Sequence, residues 1–151
     1  MSEGRTVPNV LVSACLVGSR SRYDGSSRLD RGLVRRLRSA GCTIIPVCPE
    51  QLGGLPTPRP PAEIDRGDGH DVLADDARLV NTAGDDVTTH YRRGARETLH
   101  LARLLDCHTA YLKEKSPACG VRWIKRGDAT VPGRGVAAAL LESAGIRIVG
   151  V

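Results

Sequence analysis

The chain has 151 residues, of which 40% are hydrophobic and 26% charged; this fits one domain spanning residues 1–151 around a single core and excludes a disordered or fibrous protein. The net charge of +5 is carried almost wholly by arginine, because Lys113, Lys115 and Lys125 are the only lysines. With 3% aromatic residues and no Phe, a base-stacking platform is hard to build, so nucleic acid is not favoured as the primary partner.

The longest uncharged stretch, Val7 to Ser19, is shorter than the roughly 20 apolar residues of a membrane helix, so no membrane association is expected. Val12-Ser13-Ala14-Cys15 has the look of a lipoprotein cleavage box, but Glu3 offsets Arg5 and Pro8-Asn9 interrupt the apolar run, which argues against an export leader. Five cysteines, odd in number and unevenly spaced, do not make a disulfide scaffold. A reducing cytoplasm is the expected location, and clustered cysteines there point to metal or catalysis.

In chain order, the apolar, β-branched run Val10 to Val17 predicts a buried strand ending near Cys15. After the polar turn Arg22-Tyr23-Asp24-Gly25, the spacing of Leu29, Leu33, Val34 and Leu37 predicts a helix closed by Gly41. Thr43 to Val47 predicts a second strand ending at Cys48. Asp85 is placed to cap a long helix with an inner face of Val87, Tyr91, Ala95, Ala102 and Leu105, followed by a third strand over Thr109 to Leu112. A last helix on Val136, Ala137, Leu140 and Leu141 closes at Gly145, and Ile146 to Val149 reads as the final strand. Strands alternating with helices predict an α/β, Rossmann-like domain: a mostly parallel sheet flanked by helices on both faces. Gln51 to Gly84, rich in Pro and Gly, leaves room for a small hairpin around Val72 and Leu79 and reads as a cover loop over a site. Pro58-Arg59-Pro60-Pro61 within it also has the composition of a polyproline ligand.

Cys15, Cys48 and Cys119 each fall just past the end of a different predicted strand. In a parallel sheet those ends share one edge, where α/β proteins bind ligands, so three thiols distant in sequence can meet there. Cys42 begins the strand that Cys48 ends, and six residues at about 3.3 Å each put them about 20 Å apart. Cys107 precedes the third strand, so both read as small core residues. No His lies beside the trio, whereas structural zinc wants four ligands. A thiolate-only set suits iron and sulfur, and three ligands leave one iron open to act as a Lewis acid; unrelated structural cysteines are the plain alternative. Glu50, in Cys48-Pro49-Glu50, is placed to move protons with a pKa raised by burial near an anionic cluster, and Ser116, one turn before Cys119, to orient water or substrate. Each also reads as a cap. Gly133-Arg134-Gly135 offers backbone N–H groups to an anion or a heterocycle carbonyl.

The segments Val12-Ser13-Ala14-Cys15-Leu16, Arg22-Tyr23-Asp24-Gly25, Pro46-Val47-Cys48-Pro49-Glu50, Gly53 to Glu63, Asp86-Val87-Thr88 and Lys113 to Gly120, in this order, resemble the bacterial 2-thiouracil desulfidase family. The resemblance covers nearly the whole chain. It implies a 4Fe-4S cluster held by Cys15, Cys48 and Cys119, with the fourth iron open to the substrate's sulfur, and catalytic roles for Glu50 and Ser116. The implied activity is desulfidation of a small thiolated heterocycle, a pyrimidine like 2-thiouracil, to the oxo compound with release of hydrosulfide. Val121 to Gly127 departs from the family's usual Ile-Tyr-Asp-Gly-like stretch, which bears on specificity. Two alternatives stand beside this: the same chemistry on a thiolated nucleotide or RNA, and a non-enzymatic cysteine module sensing metal or redox state.

Overall fold

The computed structural model describes residues 7–151. Glu3 and Arg5, on which the leader argument turned, lie outside the described residues. Strand β1 (Asn9–Ser13) stops two residues before Cys15, because Ala14–Val17 turn into a 3-10 helix that Gly18 ends at a φ of 100°. Helix α1 (Arg31–Ser39) starts later than the apolar spacing predicts: the Asp30 side chain accepts from Leu33 N at 2.9 Å and fixes the first turn, leaving Leu29 outside the helix and exposed. Strand β2 (Thr43–Val47) runs directly into the short helix α2 (Pro49–Leu52), with Cys48 as its N-cap residue and Pro49 at the first helical position.

The Pro/Gly-rich segment carries more order than its composition suggests. The hairpin expected around Val72 and Leu79 does not form: strand β4 (Leu79–Asn81) pairs antiparallel with strand β3 (Ala62–Ile64), and Val72 sits on a helix between them, α3 (Gly69–Leu73), whose first turn is fixed by a capping box of Asp68 and Asp71. Helix α4 (Thr88–Leu104) starts after Val87 without a side-chain cap: Asp86 accepts from Thr88 N at 2.9 Å in the turn that leads into it, and Asp85, the expected cap, serves the β4 turn through its backbone. Strand β5 (Thr109–Leu112) follows. The next two strands, β6 (Trp123–Arg126) and β7 (Ala129–Pro132), form an antiparallel hairpin that no strong sequence signal announces. Helix α5 (Val136–Ser143) and strand β8 (Arg147–Gly150) end the fold.

The central sheet is parallel throughout, in the order β2-β1-β5-β8. Side chains alternate across it. Val10 and Val12 pack with Leu33 and Leu37 of α1 on one face, whereas Leu11, Ala110 and Leu112 pack with Ala95, Ala102 and Leu141 of α4 and α5 on the other. Helices on both faces follow from the strand order: the chain leaves β1 sideways to β2 over α1, then returns past β1 to β5 over α4. The reversal opens a crevice between β1 and β5 at their carboxyl ends. Among the described residues, no helix is long and apolar enough to cross a membrane.

The loop from β5 to β6 is held by a carboxylate. Glu114, 9% exposed, accepts from Val121 N at 2.7 Å, Arg122 N at 3.0 Å and Arg122 Nε at 3.0 Å. Burial opposes its charge, but these donors outweigh burial and hold its pKa below the ordinary 4.5. A depressed folded pKa contributes stability above the unfolded value and loses it as pH falls through the folded one. Glu114→Gln should therefore cost about 1–3 kcal/mol at pH 7, with the deficit shrinking in acid as the wild-type carboxyl protonates. Urea unfolding at pH 7 and well below pH 4.5 measures both, and an equal deficit at the two values would contradict the assignment.

Candidate active site

The crevice opens into a cavity of about 840 Å³, and Cys15, Cys48, Glu50, Ser116 and Cys119 all line it. They come from three turns at the same sheet edge: Cys15 from the 3-10 helix after β1, Cys48 and Glu50 from the β2–α2 junction, Ser116 and Cys119 from the loop after β5. Cys42 and Cys107 do not line the cavity; Cys107 is buried in the core and Cys42 packs beside α1. All five thiols are free.

Burial raises the pKa of each thiol in the trio. At Cys15, the ammonium of Lys113 works against burial, and the charge of Cys48 works with it. Cys119 is the most enclosed, and a hydrogen bond from Ser13 only partly offsets its burial, while the charges of Cys48, Glu50 and Cys15 add to the rise. Among the described residues no three His, Cys, Asp or Glu side chains close on a single metal ion, so the trio does not fit a mononuclear site. Three thiols lining one roomy cavity, with no imidazole among its lining residues, have the ligand chemistry that iron–sulfur groups take.

Two backbone contacts set these positions. A Cβ on Gly94 would stand 1.9 Å from the Pro49 carbonyl oxygen, and one on Gly53 2.0 Å from that of His90; glycine at both lets α2 lie directly on α4. A Cβ on Gly135 would meet the Ala118 carbonyl carbon at 2.4 Å. Here the start of α5 docks onto the Cys119 turn, Val136 N donating to Pro117 O at 2.8 Å and Ala137 N to Ala118 O at 3.0 Å. The Gly133-Arg134-Gly135 amides are consequently not free for a ligand: they donate to Arg122 O, Asp68 Oδ2 and Gly120 O.

Ser116 Oγ accepts from Ala118 N at 3.1 Å and Cys119 N at 3.0 Å. It caps the cysteine turn, and with both lone pairs engaged its hydroxyl hydrogen is the part left to offer the cavity. Glu50 Oε2 accepts from Arg59 Nε at 3.1 Å and from the Tyr91 hydroxyl at 2.8 Å. The sequence reasoning missed both partners. Arg59 was placed in a polyproline motif, yet it is 8% exposed and so is no ligand for another domain. Tyr91 lies in the core on the inner face of α4, as its spacing predicts, and the need of a buried phenol for a polar partner is the signal that points to Glu50.

The Pro/Gly-rich segment supplies one wall, including Arg59, Glu63 and Asp65. Lys125 and Gly127, from the stretch that departs from the family pattern, line the cavity too. Arg22, Arg28, Lys113 and Lys115 form a basic wall, and the charges of Arg22, Arg28 and Lys115 add to burial in lowering the Lys113 pKa.

The 2-thiouracil desulfurase family matches residues 10–150. A Bacillus subtilis (strain 168) protein described as uncharacterized protein YbbK is 43% identical over 143 residues, covering 93% of each chain. The solved structure of the 4Fe-4S-dependent thiouracil desulfidase TudS aligns with a TM-score of 0.81 and 37% identity, over 95% of this chain and 90% of that one. With the match running from β1 to β8, this chain belongs to the 2-thiouracil desulfurase family.

Proposed function

We propose that the chain is a 4Fe-4S-dependent desulfidase of the cytoplasm, one domain over residues 1–151, that converts a thiolated pyrimidine of the 2-thiouracil kind to its oxo form. The observation that carries this is the lining of one cavity by Cys15, Cys48, Cys119, Glu50 and Ser116, joined to family membership. Cys15, Cys48 and Cys119 would hold the cluster. Bound there, it supplies a Lewis acid with one iron not ligated by cysteine, able to accept the substrate's sulfur.

The reaction is a net hydrolysis without electron transfer. Water contributes its oxygen to the ring carbon, the carbon–sulfur bond breaks, and sulfur departs as hydrosulfide with one proton while the second is released. Glu50 Oε1, which has no hydrogen-bond partner, is the base that takes the water's proton. The Ser116 hydroxyl donates to the oxygen on which charge develops, oriented by its two backbone donors. Residues 51–84 serve as the cover that keeps bulk water from the cavity.

Protein purified without oxygen should contain about four iron and four sulfide per chain. Cys15→Ser, Cys48→Ser and Cys119→Ser should each lower that content, while Cys42→Ser should not; iron retained by all three would remove the ligand assignment. Glu50→Gln should keep its cluster and lose turnover of 2-thiouracil by about 10²-fold or more, measured as uracil formed, and full activity there would exclude the proton-transfer role.

A second substrate reading is favoured by the basic wall of Arg22, Arg28, Lys113 and Lys115, which suits a thiolated nucleotide. On that reading KM for the nucleotide lies below that for the free base at low salt and rises as salt screens the phosphate. Equal KM values, flat from low to high salt, would leave the free base as substrate.

A further inference from the structure

Glu50 is fastened on one side only. Oε2 takes both hydrogen bonds, from Arg59 Nε and the Tyr91 hydroxyl, and Oε1 takes none. Among the described residues no buried side-chain oxygen or nitrogen lacks a partner, so Oε1 is open, and the surface Glu50 opens onto is the cavity. We propose that Arg59 and Tyr91 are positioning residues: by pinning Oε2 from two directions they fix the plane of the carboxylate so that Oε1 alone meets the reacting side. This rests on the desulfidase reading for its consequence, though not for its geometry.

Both residues are themselves anchored. Arg59 spreads its guanidinium over four acceptors: Nε on Glu50, Nη1 on Pro56 O at 3.2 Å and Thr57 Oγ1 at 2.9 Å, and Nη2 on Ser21 O at 3.0 Å. Its backbone N–H donates to Tyr23 O at 2.8 Å. Ser21 O also lies 3.8 Å from Cys48 Sγ, so one arginine ties the loop after the 3-10 helix, the proline-rich segment, Glu50 and the surroundings of Cys48 together. Tyr91, 3% exposed, rises from α4 one turn before Gly94, the glycine that lets α2 lie close enough for the phenol to reach Glu50. A planar fork and a rigid ring lose little freedom in holding a partner, and small misplacements of a reacting group cost rate steeply.

A structural tie and a positioning tie are separable through Glu50 itself. Tyr91→Phe, and Arg59→Lys, which keeps the charge without the fork, should each lower kcat for a thiolated pyrimidine tenfold or more, with KM within twofold and iron and sulfide content unchanged. In a Glu50→Gln background Tyr91→Phe should cause no further loss, since it acts through that carboxylate. A raised KM at unchanged kcat, or losses that multiply in the Glu50→Gln background, would overturn the proposal. If the iron-loaded wild type acts on no thiolated pyrimidine, the functional reading fails alone, and crystal structures of the two variants decide the positioning. A Glu50 carboxylate turned from its wild-type plane is expected there, and one unmoved in both variants would refute it.

Discussion

Parallel pairing of β1 with β2 on one side and β5 on the other is the constraint on which the site depends. Parallel strands end at the same edge, so the turns after β1, β2 and β5 open on common ground although Cys15, Cys48 and Cys119 are far apart in the chain. The reversal of strand order at β1, with β2 on one side and β5 on the other, keeps the helices from closing over that edge: α1 covers one face, α4 and α5 the other, and the crevice between β1 and β5 stays open. Without that order the same residues would be unrelated core thiols and loop caps.

Placement at the edge is refined by contacts between backbones. The Cys48–Glu50 turn reaches its position because Gly53 and Gly94 let α2 touch α4 with no side chain between them, and the Cys119 turn because Gly135 lets α5 begin against Ala118. Carbonyls of the cysteine turn accept the first amides of α5, so the turn satisfies a helix end that lacks a side-chain cap. The Gly133-Arg134-Gly135 amides are not a ligand cradle either, because their donors are taken by Arg122 O, Asp68 Oδ2 and Gly120 O, and only the last of these belongs to the turn that carries Ser116 and Cys119.

The electrostatics are divided by wall. Burial disfavours charge on all three thiols, Lys113 and Arg22 favour it at Cys15, and Arg59 does so at Cys48. Arg59 also engages the carboxylate of Glu50, so the acidic group nearest the thiols is paired on one oxygen while the other remains available. The remaining cations, Arg22, Arg28, Lys113, Lys115 and Lys125, line the cavity together with the carboxylates of Glu63, Asp65 and Asp128.

Much of this was open to inspection in the residues alone. The main-sheet strands show as short apolar runs, and β2 and β5 fall on the expected residues, because runs rich in β-branched and aromatic residues read as strands even where burial is partial, as in the edge strand β2. The position of the three cysteines past strand ends, and the ordered motifs shared with the family, were legible for the same reason: they are local in sequence. The β6–β7 hairpin was not, since Trp123–Arg126 alternates weakly and is held by Glu114 and by its contact with β3. Nor was the strand after Val10 readable to its end, where Ala14–Val17 tighten into a 3-10 turn under tertiary contacts. The sequence by itself determined the α/β class and that Cys15, Cys48 and Cys119 fall past strand ends while Cys42 and Cys107 precede strands, because these follow from periodicity and chain reach. Only the tertiary structure decided that Arg59 and Tyr91 hold one oxygen of Glu50, that the α5 amides are occupied and that Ser116 caps the cysteine turn, because each depends on side chains or backbone brought together by the packing of α2, α4 and α5.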